Sequence, residues 1–175
     1  MIEASIPIQL VVTDRECTAE TIATRNNIAL VRVERNSYGK DFDRDTYTCE
    51  VRDALIGHEI DLIAMAGFGT ILNKPIYDDF SNRILNTHPS LLPSFPGWHA
   101  VEEALEYGVK VTGCTVHIAT EEVDAGPILA QESIPVLKDD TKETLHERIK
   151  KVERQLYVDT LNKIIATNGQ IERDQ

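Results

Sequence analysis

Asn86, His88 and Asp124 are the side chains whose types and placement suit them for chemistry. Asn86 and His88 stand two residues apart in NTHPSLLPSFPG, residues 86–97. Alternate residues of a strand share one face, so an amide donor and an imidazole can meet a single substrate atom. Pro89, Pro93, Pro96 and Gly97 then break regular structure. Asp124 lies in a second turn-rich segment, EEVDAGP. A carboxylate beside His88 would favour the charged, donating imidazolium. Each residue also has a plainer reading: Asn and His can satisfy loop backbone, and Asp before Ala-Gly-Pro is a common turn former. Their combination favours chemistry.

The elements that must position these residues follow from apolar periodicity. PIQLVVT, residues 7–13, reads as a short buried strand, and ECTAETIATRNN as a helix with Ala19, Ile22 and Ala23 on one side. IALVRVE, residues 28–34, reads as a second strand, followed by the loop NSYGKDFD. From Arg44 to Glu59 the spacing of Tyr47, Val51, Ala54 and Leu55 predicts a helix. DLIAMAGF, residues 61–68, is a continuous apolar run of the kind buried on both faces in parallel sheets. A short helix around Pro75 precedes the strand RILNTH, and HAVEEALEYG is a helix closed by Gly108. VTGCTVHIAT and PILAQESIPV, joined by EEVDAG, predict an antiparallel pair. Leu145, Ile149, Val152, Leu156, Leu161, Ile164 and Ile165 mark a final helix from Thr141 to about Ala166, with Thr141 and Thr144 as candidate caps. The fold class is therefore α/β, a mostly parallel, Rossmann-like sheet with an antiparallel extension and a long C-terminal helix. In such sheets ligands sit beyond the carboxyl ends of strands, which is where Asn86 and His88 fall.

Composition narrows the partners. The 175 residues suit one domain, 1–175. With 18 Lys and Arg against 29 Asp and Glu the net charge is -11, which argues against a nucleic-acid face, so an anionic substrate needs local donors. Cys17, Cys49 and Cys114 show no CxxC spacing and are odd in number, as expected for reduced thiols in a cytoplasmic protein. Neither a membrane-length apolar run nor a signal-peptide pattern is read.

With these residues placed, the sequence resembles the glycinamide ribonucleotide formyltransferases, folate-dependent enzymes of purine synthesis. NTHPSLLPSFPG, VTGCTVH and EEVDAGPILAQ carry the likeness, which runs from about residue 8 to residue 165. Related formyltransferases acting on methionyl-tRNA or nucleotide sugars tend to follow the shared SLLP element with Arg-Gly, where this chain has Phe95-Pro96-Gly97. The resemblance implies transfer of a formyl group from 10-formyltetrahydrofolate to the amine of glycinamide ribonucleotide, with no metal and no covalent enzyme intermediate. Asn86 and protonated His88 would stabilise the tetrahedral oxyanion. Asp124 would hold His88 charged and help to move the amine proton through water.

Carried over by position, the cosubstrate would meet Arg44, Gly69, Thr70, Ile71, Leu72, Asn86, Thr120, Glu121, Glu122, Val123 and Asp124. The substrate would meet Pro89, Lys150 and Glu153. By themselves AGFGTIL reads as a strand-to-helix turn, and Lys150 with Glu153 as a solvent-exposed ion pair. A methionine and an arginine are common in the family where this chain has Gly69 and Thr70. His117 is expected to support the site without reacting. His58, His99 and His146 have no partner legible in the sequence.

The family normally opens with a further strand and a Gly-x-Gly-Ser turn that holds the substrate phosphate on backbone N–H groups. No such run is present here, so the resemblance implies an N-terminally shortened domain. The strand not seen would be an inner one, and a homodimer or strand exchange is expected to cover the exposed edge. Two other readings stay open: an inactive or folate-binding-only truncated relative, and a formyltransferase acting on a small amine without a phosphate.

Overall fold

The computed structural model describes residues 1–167 and 171. The chain forms two compact units, Met1–Ile63 with Gly67–Arg83, and Ala64–Ala66 with Ile84–Gln175.

In the first unit β1 (Leu10–Thr13) and β2 (Ala29–Arg32) are parallel and joined by α1 (Thr18–Arg25), with Leu10 opposite Ala29 and Thr13 opposite Arg32. Beyond the strands, Val33 N–H donates to Thr13 O at 3.0 Å and Arg35 N–H to Asp14 O at 2.9 Å. The expected apolar face of α1 is corrected by the structure: Ala19 and Ile22 are exposed, and Glu20 and Ala23 are buried. The cause is polar. Thr13 Oγ1 donates to Glu20 Oε1 at 2.7 Å, and the Arg32 guanidinium donates to both Glu20 oxygens at 2.7 and 2.5 Å, which turns the helix toward the strands. α2 (Arg44–Gly57) starts on an Asp43 cap that accepts from Thr46 N–H at 3.0 Å, and buries Tyr47, Thr48, Val51 and Leu55. α3 (Lys74–Asp79) carries Pro75 in its first turn and buries Ile76.

The second correction concerns DLIAMAGF. Only Ile63–Ala64 form a strand, β3, and Ala64 and Ala66 are exposed. Ile63 N–H donates to Arg83 O and Met65 N–H to Leu85 O, each at 2.8 Å, a parallel step. Gly67, at φ 66, then turns the chain out of extended geometry.

The second unit contains β4 (Ile84–His88), β5 (Val111–Ile118) and β6 (Ile128–Pro135), with α4 (Ala100–Tyr107) and α5 (Lys142–Ala166). β3 to β6 are neighbours in that order, and β4–β5 and β5–β6 are antiparallel. The α/β class with parallel strands, an antiparallel extension and a long last helix is as read from the sequence, although the strands divide into two sheets. Thr112 to Ile118 of β5 are all buried, and Val101, Cys114, Ile134, Leu145 and Ile149 form a core between β5, β6 and the two helices. α4 ends at left-handed Gly108, as expected. α5 opens with a reciprocal Thr141–Thr144 capping box, so both candidate caps act. Buried Tyr157 on α5 donates its hydroxyl to Leu85 O at 3.0 Å, fixing the helix against β4.

Candidate active site

β4 and β5 set the frame. Asn86 stands opposite His117 and His88 opposite Thr115 in the antiparallel register. The loop after β4 contains a cis peptide at Leu92–Pro93 and is tied to β5 and β6 by Thr115 and Gln131. Thr115 Oγ1 donates to Ser90 O at 2.7 Å and accepts from Leu92 N–H at 3.1 Å, while Gln131 Nε2 donates to Leu92 O at 2.9 Å and Thr115 Oγ1 at 3.0 Å. Fully buried Thr115 thus holds the turn-rich loop through its hydroxyl and keeps His88 at a fixed depth.

His88 is 4% exposed. Its Nε2–H donates to the Phe95 carbonyl at 2.7 Å, and Nδ1 lies 3.3 Å from Asp124 Oδ2. Both ring nitrogens face acceptors, so the imidazolium satisfies the geometry at both ends. The Asp124 side chain is 7% exposed and accepts from Gly97 N–H at 2.8 Å. The second loop therefore reaches the first through one carboxylate. Asp124 itself has φ 56, Gly97 has φ 92, and a Cβ on Gly126 would lie 1.8 Å from Ile118 O. That close approach explains the glycine after Ala125.

His117 is 1% exposed. Its Nδ1 lies 3.0 Å from Ile118 O, its Nε2 lies 3.3 Å from Asn86 Nδ2, and Asp124 Oδ1 is 3.6 Å from Nε2. Burial holds its pKa below the ordinary histidine value despite the Ile118 carbonyl and Asp124. Neutral His117 and His88, whose two ring nitrogens both face acceptors, therefore flank one carboxylate.

Of the substrate residues, Pro89 is half-buried directly after His88. Glu153 is not paired with Lys150 as an exposed ion pair: Lys150 Nζ donates to Glu147 at 3.0 Å. Glu153 is half-buried, and burial raises its pKa against a Thr87 hydrogen bond and the nearby His88. In the 120–124 segment Thr120 Oγ1 donates to Glu122 O at 2.9 Å, and Glu121, Glu122 and Val123 are exposed.

The remaining candidates lie in the first unit. Arg44 is half-buried at the start of α2, Gly69 and Ile71 are exposed, and Leu72 is buried. Thr70 is 2% exposed, accepts from Arg35 NH1 at 3.2 Å and donates to Asp14 Oδ2 at 3.3 Å. Arg35 also lies over the Tyr38 and Phe42 rings, 4.3 and 4.5 Å from their centroids. His99 lies 3.4 Å from Glu102, and His58 Nδ1 2.8 Å from Ala54 O. Among the described residues no group of three His, Cys, Asp or Glu side chains is placed to hold a metal ion, and no helix is long and apolar enough to cross a membrane.

Residues 3–161 match the Formyl transferase family. The chain belongs to that family. It is 47% identical over 156 residues to the phosphoribosylglycinamide formyltransferase of Mycobacterium tuberculosis, covering 89% of this chain and 71% of that protein. It is 42% identical over 149 residues to the trifunctional purine biosynthetic protein adenosine-3 of Gallus gallus, covering 85% of this chain and 15% of that one. The crystal structure of glycinamide ribonucleotide transformylase 1 from Symbiobacterium toebii superposes with a TM-score of 0.88 at 36% identity, over 99% of this chain and 81% of that one. This formyltransferase thus shares fold and sequence with enzymes of purine biosynthesis.

Sequence reasoning singled out Asn86, His88 and Asp124, of which the structure brings His88 and Asp124 into contact, and expected a supporting role for His117. It missed Thr115, Gln131 and the backbone groups of Phe95 and Gly97. Backbone partners carry no side-chain signal. Thr115 was accessible in principle, as a polar residue inside a buried strand opposite His88.

Proposed function

We propose that this formyltransferase moves the formyl group of 10-formyltetrahydrofolate to the primary amine of glycinamide ribonucleotide. The single observation that carries the reading is the buried contact of His88 with Asp124, with Asn86 on the same face of β4. The amine nitrogen bonds to the formyl carbon, and the carbonyl electron pair moves onto oxygen. Asn86 donates to that oxygen, and the His88 imidazolium adds positive charge beside it. His88 Nε2–H is already engaged by Phe95 O, so it serves the oxyanion by sharing that hydrogen or by releasing the carbonyl. Collapse breaks the bond to folate N10, which takes up the proton lost by the amine. Asp124, through water, carries that proton.

Pro89, Lys150 and Glu153 are assigned to the ribonucleotide. Half-buried Glu153, whose pKa is raised by burial, is suited to hydrogen-bond sugar hydroxyls. Asn86 and Thr120 to Asp124 of the second unit are assigned to the cosubstrate. We place the reaction in the cytoplasm, to which three free thiols are suited, within a single functional domain. A homodimer covering the exposed Ile22 and Leu30 of the first unit completes the proposal; a single-chain mass in sedimentation at micromolar concentration overturns that part.

Steady-state transfer from 10-formyl-5,8-dideazafolate to glycinamide ribonucleotide tests the reading. Turnover is expected, falling about 100-fold or more in His88→Ala. Absence of turnover with the folate analogue still bound overturns it in favour of a folate-binding relative.

A further inference from the structure

Asn86 can act on an oxyanion only if its NH2 group, and not its carbonyl, faces the reacting oxygen. An amide on a strand has two orientations of nearly equal shape, and its partners must choose between them. The partner here is His117, directly opposite in the β4–β5 register, with Nε2 3.3 Å from Asn86 Nδ2.

The other nitrogen of His117 fixes what Nε2 can offer. Nδ1 lies 3.0 Å from the Ile118 carbonyl, which only accepts, so Nδ1 carries the hydrogen. A neutral ring with Nδ1–H has a bare lone pair on Nε2. That lone pair accepts from an N–H and repels a carbonyl, so it draws the Asn86 NH2 group toward itself. One amide hydrogen is then held by His117 and the second is left directed outward from the same nitrogen.

We infer that His117 is a positioning residue: through the chain Ile118 O, His117 Nδ1–H, His117 Nε2 and Asn86 Nδ2–H it selects the donating orientation of the Asn86 amide. This rests on the proposed reaction for its kinetic consequence, and on the ring's contacts and burial for the orientation. The groups around the ring oppose one another. Asp124 Oδ1, 3.6 Å from Nε2, favours a second proton, while burial and the neighbouring His88 disfavour it. The neutral ring prevails and keeps the lone pair available to Asn86. Were Nε2 protonated, it would turn to Asp124 and release the amide, and the carboxylate would be divided between two imidazoles. The arrangement thus also reserves Asp124 for His88.

Two substitutions separate an acceptor from mere bulk. His117→Asn retains a donor near the Nδ1 position and loses the acceptor at Nε2. His117→Gln places its side-chain carbonyl near the Nε2 position and restores the acceptor. We expect kcat to fall about 100-fold in His117→Asn, with KM within about twofold, and to recover to within about fivefold in His117→Gln. In an Asn86→Ala background His117→Asn should lower kcat no further. Equal losses in the two variants, or full additivity with Asn86→Ala, overturn the inference. A readout independent of turnover is long-range proton–nitrogen NMR of the folded, substrate-free chain. It should show the Nδ1–H tautomer of His117 and a side-chain amide signal of Asn86 that shifts in His117→Asn and returns toward wild type in His117→Gln. An Nε2–H tautomer overturns the orientation argument even if formyl transfer is confirmed. If transfer is absent, the NMR result still decides the orientation.

Discussion

The β1–β2 pair of the first unit and the β4–β5 pair of the second both carry polar residues among apolar ones and treat them differently. At the end of β1 and β2, Thr13, Glu20 and Arg32 form one polar link, and Arg32 is half in solvent. β2 is largely exposed. At β4–β5, Asn86, His88, Thr115 and His117 share one sheet face, and the hydrogen bonds of the latter three, all buried, close on neighbouring backbone or side chains. Water can replace a partner in the first pair and not in the second. Buried polar groups whose partners are fixed cost nothing to reorganise when charge develops, which is where oxyanion chemistry gains its rate. Polar groups at the first unit's strand ends are suited to recognition, where solvent exchange is tolerated.

The largest expected effect breaks the charge at the centre of the second pair. Asp124→Asn retains an oxygen to accept from Gly97 N–H, so the loops stay joined, but it removes the carboxylate facing His88. Turnover should fall on the order of 10³-fold, as when a histidine loses its orienting carboxylate, with thermal unfolding within a few degrees of wild type. A loss of tenfold or less in steady-state assays would place the essential carboxylate elsewhere.

The comparison sharpens with threonine to valine at both pairs. Thr115→Val removes the hydroxyl that serves Ser90, Leu92 and Gln131, and leaves a buried N–H unpaired. The cost should be about 2–3 kcal/mol, lowering Tm by roughly 5–10 °C. Thr13→Val removes one bond to Glu20, which keeps both contacts with Arg32, and should cost less than about 1 kcal/mol. Equal shifts in denaturant midpoint would contradict the distinction between the pairs.

The same contrast marks what was legible in sequence. Asn86 and His88 were readable because period-two geometry puts alternating residues on one face, and Asp124 because a carboxylate in a turn can pair with histidine. The antiparallel extension and both caps of α5 were readable from alternation and from Thr spacing. The α1 face was not: its apolar residues Ala19 and Ile22 face solvent because the Glu20–Arg32 ion pair, made across 12 residues, outweighs them. Nor was the length of β3. An apolar run of eight residues looks like a buried strand, but Gly67 at positive φ turns the chain out of extended geometry and ends the run. His117 was placed as supporting, and its register opposite Asn86 depends on strand pairing that a single sequence leaves open.

Acid should also separate the pairs, by the pH window in which each loses stability. The folded-state pKa of His117 is lowered by burial, so below about pH 6.5 the unfolded chain takes up a proton that the native ring refuses. Stability from this group is present above that pH and lost as pH falls. Glu20, lowered by Arg32 and Thr13, loses its contribution only as pH falls below about 4.5, the ordinary carboxylate range. Urea unfolding from pH 7 to 5 should therefore decline less steeply in His117→Gln than in wild type, whereas Glu20→Gln should leave that slope unchanged. Parallel slopes for wild type and His117→Gln would show that His117 titrates normally.

The smallest effect is chemical and needs no substitution. Burial, with Glu153 and Glu132 nearby, pushes the Cys114 thiol up to about 12, while Cys17 is exposed on the first unit. Thiolate is the reactive form, so at pH 8 Cys17 should be alkylated within minutes, half-buried Cys49 more slowly, and Cys114 only after denaturation. Peptide mass spectrometry after timed quenching resolves the three. Native-state labelling of Cys114 at the rate of Cys17 would mean that β5 opens readily. The rigid partner network around Asn86, His88 and His117 would then lose its basis, because Cys114 is adjacent to Thr115 on the same strand.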